Sequence, residues 1–372
     1  MTGQPLTVLL YVDSEVFGGS EQVVLQLLRG LDRARWRPAL LHHSEPGLKH
    51  LIEGAHAVDV STLTVPRVTD RSLLLRLPGL LSVISKARPA VFHAHLNWPL
   101  SCKYGIVAAA LSRVPAVVAT LHLFPEALMN RNVRTQVQVV SRAVHRYLPV
   151  ARHVRDRLAS LGIPERQLRV IRNGIDPRPF LVTRDPELRA RLSPDGNAPI
   201  VLTSARLARQ KALDVLLAAA TQVPDALFLI AGEGPERSAL EARASQLALS
   251  SRVRFLGARQ DIAELLAVCD LFVLPSLVEG LPISVLEAMA AARPVVASRI
   301  GGTDEVVVDG GTGVLVAAGD AEALAAAIRR LLADPEYARR MGQAGRDRVY
   351  GEFSLSRMIE GVEAAYEELL PG

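Results

Sequence analysis

Two glutamates stand eight positions apart in the segment VEGLPISVLEAMAAARPVV, and paired carboxylates often carry acid and base chemistry. Pro282 favours a helix that begins there and runs to about Ala292, with Glu279 in the preceding loop and Glu287 inside the helix. Eight helical residues span about 12 Å, whereas the paired carboxylates of glycosidases lie about 5 to 9.5 Å apart. The spacing therefore favours two carboxylates that hold hydroxyls at separate ends of one extended ligand.

The helix start between these glutamates offers free backbone N–H groups at Ile283 and Ser284, which suit phosphates in the middle of such a ligand. Taken alone, Glu287 could equally be a helix salt-bridge residue. Its flanking sequence VLEAMAAA is otherwise apolar, however, so the carboxylate would face a mostly dry environment. That environment favours a binding role.

Two cations follow a predicted strand in TSARLARQKALDVLL, with Arg206 at the strand end and Lys211 near the start of the next helix. Arginine can bind a pyrophosphate through two parallel hydrogen bonds, and lysine can bind it as a point charge. The alternative is a pair of exposed charges near acidic neighbours.

A glycine pair, Gly18 and Gly19, precedes Ser20 and an apolar-periodic helix in VDSEVFGGSEQVV. Ser20 is a good candidate for the N-cap, and glycines let the backbone approach a phosphate at the helix start. The segment is not the G-x-G-x-x-G fingerprint, so it gives no support for dinucleotide binding. A flexible turn before a helix is the alternative.

Three histidines end predicted strands of the first half. His122 closes PAVVATLH, while His93 and His95 alternate in VFHAHLNWP. A histidine in such a place is often a structural residue whose hydrogen bonds are satisfied, so an acceptor-side role for His93 or His95 is only a hypothesis.

Short apolar runs alternate with helical patterns along the whole chain, which predicts an α/β protein with parallel sheets covered on both faces. The proline-rich and charged segment 173–199 is the best domain boundary. We therefore expect a first Rossmann-like, doubly wound domain over 1–180, a second over 181–353 and a C-terminal helix over 354–372. Ligands of such sheets bind at the carboxyl ends of the strands, which predicts a cleft between two domains that face one another.

Composition narrows the class of protein. The 372 residues are 49% hydrophobic and 22% charged, values ordinary for a globular protein. No run of about 18 apolar residues occurs, and the opening MTGQPLTVLLYV has the pattern of a tail and a first strand. Cys102 and Cys269 match no metal spacing and suit reduced thiols in the cytoplasm.

Charge is unevenly distributed between the two halves. Residues 1–180 carry 23 Arg and Lys against 12 Asp and Glu, whereas the whole chain has a net charge of only +5. A basic first half suits an anionic partner such as a phospholipid surface or a pyrophosphate-bearing acceptor, and scattered arginines on solvated helices are the alternative. Nucleic acid is disfavoured because no basic run is interleaved with aromatic residues.

Several motifs resemble, in order, those of retaining glycosyltransferases with the GT-B fold, in particular the large family 4 that uses nucleotide sugars. EGLPISVLE resembles the family's E-x7-E motif, ARLARQK its phosphate clamp, GGSEQ its N-terminal glycine loop and RVIRNGIDPRPF its domain junction. LFLIAGEGP, VRFLG and GGTDEVV agree as well. The chain departs from the family pattern at Ala212, where glycine usually follows the lysine, and at Ser20, where alanine is common.

The resemblance implies that Arg206 and Lys211 bind the donor pyrophosphate and offset the charge of the leaving nucleotide, so that no metal is needed. It implies further that Glu287 holds the ribose and that Glu279 holds the transferred sugar. The backbone N–H groups of Gly280 and Leu281 would help Glu279 to hold the hydroxyls of that sugar, while the Ile283 N–H at the helix start remains a candidate for the phosphates.

In the first domain, the resemblance implies that the loop of Gly18 and Gly19 approaches the phosphate and sugar. His122 would reach the donor sugar near the reacting carbon. The final helix would return to pack on the first domain, as in the family.

The expected activity is the transfer of a hexosyl group from a UDP- or GDP-sugar to an acceptor hydroxyl, with retained configuration and no cofactor. The acceptor would be a saccharide or a lipid-linked molecule in envelope, polysaccharide or glycolipid synthesis. We expect a cytoplasmic protein with peripheral contact to an anionic membrane. A GT-B nucleotide-sugar epimerase and a non-catalytic nucleotide-sugar-binding protein are the alternatives. The sequence leaves the sugar, the base, the acceptor, the linkage and the oligomeric state open.

Overall fold

Alternating strands and helices form two separate parallel sheets in the computed structural model, which describes residues 4–193 and 198–370. The strands are β1 (Leu6–Tyr11), β2 (Trp36–His43), β3 (Ser61–Val65), β4 (Val91–Leu96), β5 (Ala116–Leu121), β6 (Arg146–Pro149), β7 (Ile200–Ser204), β8 (Leu227–Ala231), β9 (Val253–Gly257), β10 (Leu271–Leu274), β11 (Val295–Ser298) and β12 (Val314–Val316).

The α-helices connect these strands and extend the chain beyond the last of them. They are α1 (Gly19–Gly30), α2 (Lys49–His56), α3 (Leu73–Ala87), α4 (Lys103–Leu111), α5 (Arg131–Ser141), α6 (Arg152–Ser160), α7 (Pro186–Leu192), α8 (Leu213–Ala220), α9 (Arg237–Gln246), α10 (Ile262–Val268), α11 (Ile283–Ala290), α12 (Thr303–Val306), α13 (Ala321–Ala333), α14 (Pro335–Glu352) and α15 (Leu355–Glu367).

The chain divides into two compact units. Unit 1 comprises Met1–Asn173 and Leu355–Gly372, and unit 2 comprises Gly174–Ser354. Of the predicted tail, boundary segment and final helix, residues 1–3, 194–197 and 371–372 lie outside the described part of the chain.

Both sheets have the same strand order. In unit 1 it is β3-β2-β1-β4-β5-β6, and in unit 2 it is β12-β11-β10-β7-β8-β9, with parallel pairing throughout. Numbered within its own unit, each sheet has the order 3-2-1-4-5-6, which defines a doubly wound Rossmann-like domain. The predicted α/β class with two Rossmann-like domains is confirmed.

Apolar strands hold each sheet between layers of helices. In unit 2 the buried face of β7 and β8 packs with Leu216 and Leu217 of α8 and with Ile328 of α13. Burial at about 25 cal/mol per Å² of apolar surface makes this the main stabilising contribution. The sheet is therefore a rigid support for the loops at its carboxyl edge.

Helix α15 belongs to unit 1 and packs against α1 and the start of β2. Gly30 of α1 lies so close to Ile359 that an added Cβ would come within 2.0 Å of the isoleucine Cδ1. The Asp32 backbone N–H donates to Glu363 Oε1 at 2.8 Å, and the ring of Tyr366 stands edge-on to Trp36 with centroids 5.4 Å apart. The end of the described chain is thus part of the unit 1 core.

Both cysteines are buried free thiols. Among the described residues, no helix is long and apolar enough to cross a membrane.

Candidate active site

The predicted clamp and the Glu279 loop follow two adjacent strands of unit 2. Strands β7 and β10 are neighbours, although β8 and β9 lie between them in sequence. Strand order reverses at this point, where doubly wound domains bind ligands beyond the carboxyl ends of their strands. The loops that carry Lys211 and Glu279 therefore lie at the expected binding position of the sheet.

Lys211 and Glu279 contact one another directly. Lys211 Nζ donates to Glu279 Oε1 at 2.5 Å, and Ser276 Oγ donates to the same oxygen at 2.6 Å. The two ionic side chains are only 16% and 9% exposed, so little water screens the pair. The Glu279 carboxylate thus holds Lys211, and a bound phosphate would compete with that carboxylate for the lysine ammonium group.

The backbone around Lys211 is fixed by two features. Residues Arg209–Lys211 form a 3₁₀ turn, and Ala212 follows it in the left-handed conformation with φ of +46°. The Leu277 N–H donates to the Gln210 carbonyl at 2.8 Å, which joins this turn to the loop after β10. The usual family glycine at position 212 therefore corresponds to a backbone conformation that glycine adopts with less strain.

The residues before and after Arg206 each pack closely against a glycine. A Cβ on Gly232 would come within 1.9 Å of the Ala205 carbonyl oxygen, and one on Gly234 within 2.3 Å of the Leu207 oxygen. The guanidinium itself is exposed, and no ion pair to it is found within 4–193 and 198–370. Gly232 and Gly234 thus allow the two chain segments to pack closely on either side of Arg206, and the Arg206 charge stays accessible.

Glu287 lies inside α11 and is 9% exposed, although nearly every other residue of that helix is an apolar core residue. The helix begins at Ile283, with Pro282 as its N-cap, and it ends at Ala290. The predicted helix from Pro282 to about Ala292 was therefore slightly too long, because Ala292 takes a left-handed conformation with φ of +53° that ends it.

The glycine pair of unit 1 begins helix α1, with Gly18 as N-cap and Gly19 as the first helical residue. The Glu21 carboxylate accepts hydrogen bonds from the Gly18 N–H at 2.9 Å and from Ser20 Oγ at 2.8 Å. The interpretation of Ser20 as N-cap was wrong, because the N-cap is Gly18, two residues earlier, and the Glu21 carboxylate accepts from its backbone N–H.

The three histidines form a buried, hydrogen-bonded cluster with two other side chains. His95 Nδ1 lies 3.0 Å from His122 Nε2, and His93 bonds to Thr120 Oγ1 at 2.7 Å and to the Tyr366 hydroxyl at 2.6 Å. Burial lowers the pKa of His93 and His122 to about 3, and burial with the neighbouring histidines lowers that of His95 as well. All three rings are therefore neutral near pH 7.

Sequence reasoning missed this cluster and the Lys211–Glu279 contact. The signal for the first was present, because His93 and His95 are two positions apart on β4 and therefore point to the same face. No local pattern indicated that Tyr366, near the end of the chain, would reach His93.

Two family models together match most of the chain. The model described as "Glycosyltransferase Family 4" matches residues 17–178, and the one described as "Glycosyl transferases group 1" matches residues 184–348. Both describe glycosyltransferases, and the boundary between them lies in the predicted junction segment.

Curated relatives agree with this class. Glycogen synthase of Mycobacterium tuberculosis (strain H37Rv) is 32% identical over 295 residues, which cover 75% of this chain and 69% of that protein. The lipopolysaccharide core biosynthesis glycosyltransferase LpsE of Rhizobium meliloti (strain 1021) is 34% identical over 217 residues, or 58% of this chain. The alignment spans 61% of the length of LpsE.

A solved structure shows the same fold. HepE of Anabaena, in complex with UDP and glucose, superimposes with a TM-score of 0.85 and 23% identity, covering 98% of this chain and 100% of that chain. The fold and the matches together define a glycosyltransferase with two Rossmann-like domains. The chain belongs to the family of GT-B glycosyltransferases.

Proposed function

We propose that the protein transfers a hexosyl group from a UDP- or GDP-sugar to an acceptor hydroxyl, with retained anomeric configuration, as a member of family 4. The carrying observation is the Lys211–Glu279 ion pair at the strand-order reversal of unit 2. It puts a cation suited to phosphate beside a carboxylate suited to sugar hydroxyls. The complex of HepE with UDP and glucose supports a donor of this chemistry.

In the proposed reaction, Arg206 and Lys211 stabilise the negative charge that develops on the leaving diphosphate. This is the reason to propose transfer without a metal or other cofactor. The leaving phosphate helps to take the acceptor proton in a front-face attack, so no side-chain base is required.

The remaining donor contacts belong to the same proposal. Glu279, with the backbone of Gly280 and Leu281, holds hydroxyls of the sugar. Glu287 holds the ribose, and the Ile283 N–H lies at the start of its helix.

For unit 1 we propose donor contacts from Gly18, Gly19 and His122. The neutral His122 can donate or accept a hydrogen bond without adding charge near the reacting carbon.

The acceptor is proposed to be a saccharide or a lipid-linked molecule in envelope, polysaccharide or glycolipid synthesis. We propose a cytoplasmic site of action with peripheral contact to an anionic membrane. The name of LpsE, a lipopolysaccharide core enzyme, supports an envelope acceptor.

The test combines donor binding with turnover. A thermal-shift panel of UDP- and GDP-sugars identifies the donor, because a ligand that binds the native state raises its stability by mass action. Nucleotide release with candidate acceptors is then measured for Glu279→Gln, Lys211→Met and Arg206→Gln. Each should lose about 100-fold or more in kcat, as for the loss of one stabilising group at developing charge.

Arg209→Gln is the matched control, because Arg209 is an exposed arginine of the same turn with no assigned role. Wild-type turnover in all three site variants would refute the assignment. Change of the sugar without an acceptor would indicate an epimerase, and binding without nucleotide release would indicate a non-catalytic protein. The anomeric configuration of the product and turnover in EDTA test retention and metal independence.

A further inference from the structure

Two adjacent leucines near the start of helix α3 in unit 1 are exposed to solvent. Leu74 and Leu75 are 90% and 86% exposed, and no residue in the first half of this helix is buried. Only Leu80 and Ile84, farther along, are fully buried. Single exposed leucines are ordinary, but two adjacent ones that are almost wholly exposed mark a candidate contact surface.

The helical segment that carries these leucines contains cations and no carboxylates. The segment 71–88 contains Arg71, Arg76, Lys86 and Arg88 and no Asp or Glu. The nearest carboxylate in sequence, Asp70, is already paired with Lys103 at 2.8 Å. The surface formed by Arg71, Leu74, Leu75 and Arg76, here called the leucine–arginine patch, therefore carries net positive charge.

The patch lies toward the carboxyl edge of the unit 1 sheet. Strands β3 and β4 run parallel, so α3 must carry the chain back from the carboxyl end of β3 to the amino end of β4. Its first residues are consequently at the edge where Gly18, Gly19 and His122 follow their strands. A partner bound there would be near the ligand-binding edge of this unit.

An anionic lipid surface matches this chemistry better than a second copy of the chain does. Two like patches brought face to face would repel, because each carries uncompensated arginines. At a membrane, leucines enter the boundary between headgroups and acyl chains while arginines contact anionic headgroups. We propose that the leucine–arginine patch docks unit 1 onto an anionic phospholipid surface. This inference rests on the proposed function, because membrane docking would bring the site to a lipid-linked acceptor that lies in the same surface.

Vesicle sedimentation tests the proposal with the full-length protein. Vesicles of phosphatidylcholine mixed with phosphatidylglycerol should bind the wild type in low salt and release it in high salt, whereas pure phosphatidylcholine should bind it weakly. The double variant Leu74→Gln with Leu75→Gln should weaken binding by about tenfold or more. Arg71→Gln should weaken it by about fivefold at low salt.

Two controls match these changes away from the patch. Leu111→Gln replaces a leucine that is 63% exposed on α4, and Arg339→Gln replaces an exposed arginine of unit 2. Both should bind the mixed vesicles as the wild type does. Binding by the double leucine variant equal to that of the wild type would overturn the proposal, as would no vesicle binding by the wild type.

Two further measurements separate this inference from its alternatives. Analytical ultracentrifugation of wild type and double variant detects a dimer, and a dimer that the leucine changes abolish would assign the patch to a second copy and overturn the proposal. A thermal shift with UDP and GDP reports donor binding in every variant. Loss of vesicle binding with retained nucleotide binding supports the patch, and vesicle binding without any nucleotide binding refutes the proposed function alone.

Discussion

Replacing Gly302 with alanine should disable the Glu279 loop without removing a single charged group. Gly302 directly precedes α12, and a Cβ there would come within 1.7 Å of the Gly280 carbonyl oxygen and 2.5 Å of its carbon. Real Cβ contacts do not come closer than 3.0 Å. One of the two segments must therefore move by at least about 1.3 Å.

The Gly280 side is the one expected to move. Thr303, beside Gly302, is 0% exposed, and its hydroxyl donates to the Ile300 carbonyl at 2.8 Å and accepts from the Ile300 N–H at 3.1 Å. The turn from Ile300 to Thr303 is thus fixed by the hydrogen bonds of the Thr303 hydroxyl. The displaced Gly280 carries the adjacent Glu279 with it, which disturbs the contact with Lys211.

Two magnitudes follow from this displacement. Overpacking of this kind costs about 1–3 kcal/mol of folding free energy, which lowers Tm by several degrees in a domain of this size. A misplacement of about 1 Å at a binding site can cost about 100-fold in rate. We therefore expect a folded variant with kcat/KM reduced by about two orders of magnitude, measured by nucleotide release.

Gly351→Ala is the matched control, because Gly351 lies in α14 of the same unit and an added Cβ there meets nothing within 4 Å. It should keep wild-type activity and gain about 0.5–1 kcal/mol of stability, since alanine is the better helix residue. A Gly302→Ala enzyme with wild-type kcat/KM would refute the claim that this glycine positions the loop.

The remaining predictions concern stability. Ala248 is exposed and follows the end of α9 in a left-handed conformation with φ of +56°. Ala248→Gly should relieve this strain and stabilise the fold by about 1 kcal/mol in urea melts, and a lower unfolding midpoint would contradict this prediction. Tyr366→Phe should cost about 1–2 kcal/mol in the same assay, since it leaves buried His93 Nδ1 without its 2.6 Å partner, and an unchanged midpoint would show the bond to be dispensable. In the folded protein the pKa of His93 and of His122 is about 3, below the unfolded value of about 6.5, so between these pH values the unfolded state binds more protons. The free energy of unfolding should therefore fall as the pH drops from about 6.5 toward 3, by up to about 1.4 kcal/mol per pH unit for each of the two histidines. Urea melts across that range should show this loss, and a flat profile between pH 6.5 and 5 would exclude buried neutral histidines.

Most strands of both sheets could be predicted from the sequence, including the edge strands β6 and β9, whereas β2, β3 and β12 were not identified. Strands β8 (LFLIA) and β10 (LFVL), for example, are continuous apolar runs because both of their faces are covered. Strand β3 (STLTV) is an edge strand with four of its five residues at least partly exposed, and β12 has only three residues. Such strands need no continuous apolar pattern, so hydrophobicity alone did not identify them.

A helix inside the predicted boundary segment was also missed. Helix α7 occupies Pro186–Leu192, where the charged sequence has little apolar periodicity. Its local signals were nevertheless present, because the Asp185 side chain accepts from the Glu187 and Leu188 N–H groups and Pro186 occupies the first turn. Capping chemistry was the better guide there than periodicity.

The Lys211–Glu279 contact depends on a kind of information that motif spacing does not contain. The two residues are 68 positions apart, on loops that become neighbours only because β10 returns beside β7 after β8 and β9 have extended the sheet in the other direction. Once the order 3-2-1-4-5-6 is assumed, those two loops must flank the point where strand order reverses. Motifs thus identify the residues, and strand order determines which of them touch. Because Lys211 and Glu279 share one ion pair, the proposed phosphate contact and sugar contact are not independent: a change in the charge of either side chain alters the position and electrostatic environment of the other.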